Sequence, residues 1–338
     1  MTVHLIFAVD GGNSKTDLVL ARSDGDVLAL VRGPQSSPHS LGVEGCADVL
    51  QELLADAVRE AGLHGNGGAV VDVAQLLLAG VDFPDEVTML HDAVSRRGVA
   101  GSVTVLNDTF AVLRAGTERG WGVAVVCGSG INCLGIAPDG RHARFPALGA
   151  ISGDWGGGQD VGLEAVFAAA RSEDGRGPAT SLEQAVPAYF GIPDTEQLAV
   201  ALHRGRVPRA RLNELAPIVF EHAPTDAVAA AILGRLADEV FAFVRVALTR
   251  LDLAQTDVEV VLGGGLFQSG DGRLVADIAA RVHDVAPAAV VRAASSPPIV
   301  GAALLALDAL TAPADAAARL RRELGAQYAE IVNGRSGS

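Results

Sequence analysis

The sequence predicts an α/β protein made of two lobes, and three observations support this class. Apolar runs typical of strands alternate with helical patterns through the first 106 residues. A Gly-rich hairpin pattern near the start of the chain recurs after residue 120. The length of 338 residues also exceeds what one compact core usually contains.

The first third of the chain is predicted to form elements in the order βββαβαβ. Strand patterns lie near 4–9, 16–21, 27–31, 73–79 and 102–106, and helical patterns lie near 43–61 and 86–97. Strands that alternate with helices imply a mixed sheet with helices packed on it.

The second part of the chain repeats the start of this pattern and then departs from it. Strands are expected near 122–127, 132–137, 141–145, 257–262 and 288–292. No good alternating strand occurs between Gly156 and Asp252, so we expect a helical insertion at about 157–252. The tail at 314–333 is typical of an amphipathic helix that can pack on the first lobe.

The recurring hairpin suggests an internal duplication. Residues 8–25 read AVDGGNSKTDLVLARSDG and residues 125–140 read VVCGSGINCLGIAPDG. Both run from a buried strand through a Gly-rich turn into a second strand that ends in Asp-Gly. Coincidence between two ordinary glycine turns is the alternative explanation.

Composition and charge narrow the class of protein. A hydrophobic content of 49% with 20% charged residues is typical of a globular chain with a well-filled interior. The net charge of -14 repels phosphate backbones and anionic lipids, so neither nucleic acid nor a membrane is an expected partner. The three cysteines fit neither a disulfide framework nor a zinc site, and the N-terminus lacks the pattern of a signal peptide. A cytoplasmic location is therefore expected.

The strongest local motif follows the first predicted strand. It begins with Asp10 and continues through Gly11, Gly12, Asn13, Ser14, Lys15 and Thr16. Paired glycines let backbone approach an anion, the hydroxyls and Lys15 can contact phosphate, and Asp10 can hold Mg²⁺ directly or through water. A plain hairpin turn explains the same residues equally well.

Two further glycine clusters follow predicted strands. The turn at 128–130 can close on phosphate, and the cluster at 263–265 can lie against adenine. Alone, the turn at 128–130 is a weak signal, and a β-bulge or a close contact between helix and strand is the alternative for the cluster at 263–265. The chain contains no Walker A motif and no GxGxxG fingerprint, which disfavours P-loop and dinucleotide-binding proteins.

Two acids lie where a catalytic or binding role is possible. Asp108 follows a strand and opens a helix, so it can act as a general base or as an N-cap. Asp154 lies in the glycine-rich segment SGDWGGG. This segment can pack its backbone closely against a ligand, or Asp154 can be an N-cap.

Taken in order, five motifs resemble those of the N-acetylglucosamine kinase and BadF/BadG/BcrA/BcrD ATPase family, within the sugar kinase, heat-shock and actin superfamily. The motifs are DGGNSKTD, LNDT, VCGSGINC, SGDWGGG and VLGGGLF. The resemblance extends from Phe7 to about Leu307 and is weakest in the helical middle.

The resemblance implies two ribonuclease-H-like (actin-like ATPase) lobes with ATP and Mg²⁺ in an interlobe cleft. On this basis we expect residues 1–106 plus 310–338 to form the N-terminal lobe. Residues 107–309 would form the C-terminal lobe, which contains the helical insertion.

The resemblance also implies roles for individual residues. Asp10 would be the metal-associated acid, and Asp108 the base that accepts a proton from the sugar 6-hydroxyl. The ATP phosphates would contact two loops: Gly11, Gly12, Asn13, Ser14, Lys15, Thr16 in the first and Gly128, Ser129, Gly130 in the second. Adenosine would contact Gly263, Gly264 and Gly265. The sugar would contact Ser37, Asn107, Asp108, Asn132 and Asp154.

Three departures from the family pattern concern these roles. The second loop reads GSGI where relatives usually have GTGS, which places Ile131 where a Ser is usual. Ser37 replaces a recognition Asn, so the preference for an acetamido group is open. Trp155 replaces the Glu that often follows the aspartate.

The expected function is ATP-dependent phosphorylation of a sugar. The expected acceptor is the 6-hydroxyl of an amino sugar such as N-acetylglucosamine or glucosamine, and the expected assembly is a homodimer. An ATPase that activates a partner enzyme is one alternative, although its iron–sulfur cluster has no obvious cysteine ligands here. A sensor that binds sugar or nucleotide without catalysis is another. A DNA-binding repressor is disfavoured because the first strand begins by residue 4, which leaves no helix-turn-helix before it.

Overall fold

The computed structural model describes residues 2–63, 71–268 and 272–334. The ten strands of this part of the chain are β1 (Leu5–Gly11), β2 (Thr16–Arg22), β3 (Val27–Gly33), β4 (Val71–Leu78), β5 (Ala100–Asn107), β6 (Gly122–Cys127), β7 (Ile131–Ile136), β8 (His142–Arg144), β9 (Glu259–Gly263) and β10 (Val290–Ala293). Each lies at a predicted position, which confirms the predicted order of strands.

Helices connect these strands, and the first two lie at the predicted positions near 43–61 and 86–97. They are α1 (Pro38–Glu60), α2 (Pro84–Arg96), α3 (Thr109–Gly116), α4 (Gly157–Glu173), α5 (Leu182–Tyr189), α6 (Thr195–His203), α7 (Ala216–His222), α8 (Ala227–Leu251), α9 (Arg273–Val285), α10 (Pro298–Ala309) and α11 (Ala314–Gly334). By their internal contacts the residues divide into unit 1, which is Met1–Gly120 with Ala294–Ser338, and unit 2, which is Trp121–Ala293.

The two units contain sheets of the same topology. The order is β3-β2-β1-β4-β5 in unit 1 and β8-β7-β6-β9-β10 in unit 2. In both sheets the first three strands along the chain pair antiparallel, and the last two extend the sheet in parallel from its first strand. This shared order confirms the α/β class and supports the duplication inferred from the two hairpins.

The first strand of unit 1 is covered on both faces. Phe7 and Val9 belong to a buried core shared with α1 and α2. Ile6 and Ala8 are also fully buried and, by alternation, lie on the other face, where α10 packs against β1. A strand covered on both faces requires a continuous apolar run. This explains why LIFAV shows no alternation in the sequence.

The division into units differs from the predicted lobe boundaries. The predicted ranges 1–106 plus 310–338 and 107–309 place α3 and α10 in the second lobe. In the structure α10 packs against α3, β1 and β4, and all of them belong to unit 1. A Cβ atom on Gly301 would lie 1.9 Å from the Ala111 carbonyl oxygen, so these two helices are in close backbone contact. A helix that covers a sheet belongs to the core of that sheet. The strand patterns in the sequence did not show which sheet α3 and α10 cover.

The helical insertion of unit 2 is confirmed. Helices α4 to α8 lie between β8 and β9, and no strand interrupts this fully described stretch. Buried residues of these helices, such as Val161, Leu198 and Leu236, share one core with residues of the sheet, such as Val125. The insertion therefore folds as part of unit 2.

The C-terminal helix packs on unit 1, as the tail pattern predicts. Helix α11 contacts β3 and α10. The Arg321 guanidinium donates to the carbonyl oxygens of Ala115 and Arg114, at the end of α3. Among the described residues, no helix combines the length and the apolar character that crossing a bilayer requires.

Candidate functional site

The carboxyl ends of three parallel strands lie side by side in unit 1. Strand β4 pairs with β1 through Leu78 and Gly11, and with β5 through Leu78 and Asn107. Asp10 and Asp108 therefore lie at the same edge of one sheet, where the side chains that follow parallel strands collect. The sequence predicted both acids to act together, and the structure places both at this edge.

The carboxyl of Asp10 lies in an environment that disfavours its charge. Burial raises the pKa of Asp10 to about 7, and the charges of Asp108 and Asp17 contribute to the increase. Lys15 and Arg32 act in the opposite direction. The charges of Asp108 and Asp17 thus both act on the buried Asp10 carboxyl, and such an environment favours a nearby cation.

Asn107 anchors the start of α3. Its side chain is buried, and its amide nitrogen donates to Asp82 Oδ1 at 2.9 Å. Its Oδ1 accepts from the backbone N–H of Thr109 at 3.1 Å and from the Thr109 hydroxyl at 2.5 Å. Asn107 therefore fixes the strand end and the first helical turn that flank Asp108.

Asp108 occupies the N-cap position of α3 but makes no capping hydrogen bond with its side chain. Asn107 accepts from the first N–H group instead. The alternative that Asp108 is present merely as a cap therefore has no support in this geometry.

The first predicted phosphate loop is a tight turn between β1 and β2. The Gly12 N–H donates to the Lys15 carbonyl oxygen at 2.9 Å, which leaves Asn13 and Ser14 exposed at the tip. The backbone N–H groups of Asn13 and Ser14 have no hydrogen-bond partner among the described residues. Outward N–H groups of this kind can bind an anion.

The two ends of this loop have structural roles. A Cβ atom on Gly11 would lie 2.4 Å from side-chain atoms of Leu78 and Ser36, so a side chain there would clash. Thr16 is fully buried, and its hydroxyl donates to Ser36 Oγ at 2.8 Å. The Thr16 hydroxyl is therefore not presented to a ligand in this structure, although the sequence suggested it for phosphate binding.

Lys15 belongs to a network that sequence reasoning missed. Its ammonium donates to Asp17 Oδ2 at 3.2 Å and to the Tyr328 hydroxyl at 2.9 Å. Asp17 is buried and accepts two hydrogen bonds from Arg32, at 2.5 and 3.0 Å. Although burial alone would lower it, the pKa of Lys15 is raised by Tyr328 and Asp17, so the ammonium keeps its charge at neutral pH. Of these partners only Asp17, beside the loop, could have been suspected from the sequence.

Ser37 lies at the N-cap of α1 with its side chain buried. Its hydroxyl oxygen caps no backbone N–H and has no hydrogen-bond partner among the described residues. A buried hydroxyl without a partner is costly, so it calls for an explanation. A sugar can reach it only after a local rearrangement.

The second predicted phosphate loop lies in unit 2, between β6 and β7. The first N–H groups of α4 hold its carbonyl oxygens: Gly158 donates to Gly128 at 2.8 Å and Gln159 to Ser129 at 3.0 Å. The N–H groups of Ser129 and Gly130 have no partner among the described residues, and all three loop residues are exposed. The loop thus presents N–H groups outward, as anion binding requires.

A residue of the helical insertion supports this loop. The side-chain amide of Asn213 donates to Ser129 Oγ at 3.1 Å. Nothing in the sequence near Asn213 indicated this contact, because Ser129 lies far from it along the chain.

The cluster at 263–265 lies beside the second loop, because β9 pairs in parallel with β6 through Gly263 and Val126. Gly264 has a φ of 100°, and a Cβ atom there would lie 2.2 Å from the Cys127 carbonyl oxygen. A Cβ atom on Gly265 meets nothing within 4 Å. The close-contact alternative therefore explains Gly264, whereas Gly265 is open to a ligand.

The remaining predicted sugar contacts lie in unit 2. Asn132 is on β7, and its Oδ1 accepts from the Cys133 N–H at 2.7 Å. Asp154 is partly exposed and accepts a short hydrogen bond from the Ser152 hydroxyl. Burial raises the pKa of Glu239 on α8, and the nearby charge of Asp154 contributes to the increase.

Unit 2 also contains a cavity of about 590 Å³ that no sequence motif indicated. It is bordered by α7, α8 and α9, with Phe220, Leu233 and Leu274 among its apolar residues and Arg273 and Asp277 among its charged ones. Gly234 on α8 lines the cavity, and a Cβ atom there meets nothing within 4 Å. Gly263, Gly264 and Gly265 are not among its lining residues.

A comparison with family models gives one assignment across most of the chain. Residues 8–306 match the model of the BadF/BadG/BcrA/BcrD ATPase family.

Individual relatives carry kinase names. The chain is 30% identical to the N-acetylmuramic acid/N-acetylglucosamine kinase of Clostridium acetobutylicum over 267 residues, which cover 78% of this chain and 86% of the relative. It is 25% identical to the N-acetyl-D-glucosamine kinase of Dictyostelium discoideum over 319 residues, which cover 91% and 99%. Among solved structures, a proposed N-acetylglucosamine kinase from Chromobacterium violaceum superposes with a TM-score of 0.71 at 27% identity, covering 90% of this chain and 99% of that one.

The neighbouring glycines Gly264 and Gly265 provide a matched pair of substitutions. We expect Gly264→Ala to lower the melting temperature, because the new Cβ clashes with the Cys127 carbonyl and the positive φ costs on the order of 1–3 kcal/mol. Gly265→Ala should leave the melting temperature within about 2 °C of wild type, since surface changes without clashes cost little. Equal melting temperatures for the two variants would contradict the close contact at Gly264.

Proposed function

Because this chain belongs to the BadF/BadG/BcrA/BcrD ATPase family, we propose that it is an ATP-dependent carbohydrate kinase that phosphorylates the 6-hydroxyl of an amino sugar. N-acetylglucosamine and glucosamine are the acceptors that we favour. The observation that carries the proposal is the position of Asp108 beside Asp10 at one sheet edge, with its carboxylate not used as a cap. The kinase names of the relatives support the same reaction.

In this proposal Asp108 accepts the proton of the attacking sugar hydroxyl. Phosphoryl transfer needs little covalent chemistry from the protein, so positioning and electrostatic stabilisation provide most of the catalysis. A carboxylate held by a fixed helix start suits this task, because Asn107 prevents the first turn of α3 from shifting. Asn107 then acts mainly as a positioning residue.

The phosphates of ATP would be bound by outward N–H groups. Within unit 1 the candidates are the N–H groups of Asn13 and Ser14 with the Lys15 ammonium, and within unit 2 they are the N–H groups of Ser129 and Gly130. Backbone N–H groups bind anions without adding net charge, so the acidic character of the chain does not prevent this. The second loop reads GSGI where relatives usually have GTGS, but its backbone N–H donors do not depend on these side chains.

Asp10 is the residue that we propose to hold Mg²⁺, directly or through water. Mg²⁺ is commonly held by one or two carboxylates together with substrate phosphates, and the crowded carboxyl groups near Asp10 fit that donor set. When bound, the ion would neutralise charge on the phosphates. No cluster of three or more His, Cys, Asp or Glu side chains suited to a metal occurs in the described parts of the chain. A site shared with ATP is consistent with that finding.

The ATPase-activator alternative lacks support from the cysteines. Cys46, Cys127 and Cys133 are all buried. Burial raises the pKa of Cys46 and of Cys127 to about 12. An iron–sulfur cluster is held by several cysteine thiolates, and among the described residues these three buried cysteines belong to no group suited to a metal. The same unpaired thiols agree with the cytoplasmic location that we propose.

We expect Asp108→Asn to lose about 10²- to 10⁴-fold in kcat, because the general base is removed. Release of ADP should be followed in a coupled assay with N-acetylglucosamine, glucosamine, N-acetylmuramic acid and plain hexoses, and NMR of the product identifies the phosphorylated oxygen. Asp72→Asn is the matched control, since Asp72 lies on β4 at its other end, bound to the Leu5 N–H.

Turnover of Asp108→Asn at the wild-type rate would refute the role of Asp108. A wild-type protein that binds ATP and sugar but releases no ADP would instead indicate a sensor. Phosphate on a sugar oxygen other than O6 would contradict the proposed acceptor position but not the kinase activity.

Ser37 allows a test that separates sugar binding from folding. Its hydroxyl has no partner in the described parts of the chain, so Ser37→Ala should keep or raise the melting temperature. If a sugar group completes the missing hydrogen bond, the same variant should raise KM for the sugar roughly 3- to 10-fold with KM for ATP unchanged. An unchanged sugar KM would remove Ser37 from the proposed sugar site.

We further propose that adenine occupies the cavity between α7, α8 and α9. Gly234→Ala should stabilise α8 by about 0.5–1 kcal/mol, because an exposed Cβ restricts the unfolded backbone. Gly234→Leu should place a bulky side chain in the cavity and raise KM for ATP about tenfold or more without lowering the melting temperature. An ATP KM that is the same in Gly234→Leu and Gly234→Ala would exclude adenine from this cavity.

A further inference from the structure

Tyr328 brings the C-terminal helix into contact with the first phosphate loop. The hydroxyl of Tyr328 on α11 accepts a hydrogen bond of 2.9 Å from the Lys15 ammonium. The ring centre lies 5.3 Å from Lys15 Nζ and 5.0 Å from the central guanidinium carbon of Arg32. Both cations are therefore within cation–π distance of one aromatic ring.

The ammonium of Lys15 is only partly used by the protein. It has three N–H donors, of which Asp17 and Tyr328 take two. Its side chain is 43% exposed, whereas its partner Asp17 is buried at 1%. Arg32 already balances the charge of Asp17 through a bidentate pair. Among the described residues, Lys15 thus retains one N–H donor that the protein does not use.

Helix α11 also docks on unit 1 through contacts that do not involve Tyr328. Glu323 accepts from the Val27 N–H at 3.3 Å, and Arg319 binds Asp26 at 2.6 Å. Arg321 binds the carbonyl oxygens at the end of α3. With the helix fixed at these points, the contact between Tyr328 and Lys15 calls for a separate explanation.

We propose that Tyr328 is a positioning residue for ATP, which holds the Lys15 ammonium where its remaining N–H can bind a phosphate oxygen. The inference rests on the proposed function, because it takes Lys15 as a phosphate ligand. A lysine side chain loses much rotational freedom when it is fixed. An ammonium that is already held by a hydroxyl and an aromatic face loses less of it when the ligand binds.

Variants of the full chain test this proposal. Tyr328→Phe removes the hydroxyl and keeps the ring, and it should raise the Kd for ATP roughly 2- to 10-fold. Tyr328→Leu removes both contacts and should raise the Kd roughly 10-fold or more. KM for ATP should follow the Kd, while KM for the sugar stays within about twofold of wild type.

Glu323→Gln is the matched control on the same helix. It weakens the contact with the Val27 N–H and does not touch Lys15. It should lower the melting temperature and leave the Kd for ATP unchanged. If Glu323→Gln raises the Kd as much as Tyr328→Phe does, docking of α11 rather than Tyr328 itself is responsible, and the proposal is wrong.

A double-mutant cycle decides whether Tyr328 acts through Lys15. Lys15→Met should weaken ATP binding, and adding Tyr328→Phe to that variant should change the Kd by less than about twofold. Additive effects, or an unchanged Kd in Lys15→Met, would overturn the proposal even if sugar phosphorylation is intact. If the wild type binds ATP but phosphorylates no sugar, the kinase assignment fails while the cycle still tests Tyr328.

Discussion

Crowding of carboxyl groups at the carboxyl edge of the first sheet is the constraint on which the candidate site depends. Asp10 and Asp17 face each other across β1 and β2, and Asp108 adds a third charge. Arg32 and Lys15 compensate the charge of Asp17, whereas Asp10 responds through a raised pKa. An edge of this kind favours a bound cation, and the proposed chemistry follows from that preference.

The two glycine turns illustrate how one local solution serves in both units. Each follows the first strand of its sheet and has, at an exposed tip, N–H groups without a partner among the described residues. Each is also supported by a residue far away along the chain. Tyr328 contacts Lys15 in the first turn, and Asn213 contacts Ser129 in the second. Duplication can explain the two turns. It does not explain Tyr328 and Asn213, because α11 and the helical insertion each occur in one unit alone among the described residues.

Buried glycines and hydroxyls separate structural from binding roles within the motifs. Gly11 and Gly264 lie against neighbouring atoms with no room for a Cβ. Thr16 is enclosed beside Ser36. The parts of each motif that remain open to a ligand are the turn tips and Gly265. A motif is therefore a mixture of residues that shape the backbone and residues that can meet a substrate.

The sequence by itself determined the order of strands and helices, the repeated hairpin and the place of Asp10 and Asp108 at strand ends, because periodicity and strand-to-turn transitions are local properties. Tertiary structure decided the rest. It assigned α3 and α10 to unit 1, enclosed Thr16 and Ser37, and joined Asp17, Arg32 and Tyr328 around Lys15. It also formed the cavity beside Gly234. These features depend on contacts between residues distant along the chain, and no local pattern of residues encodes which of them will meet.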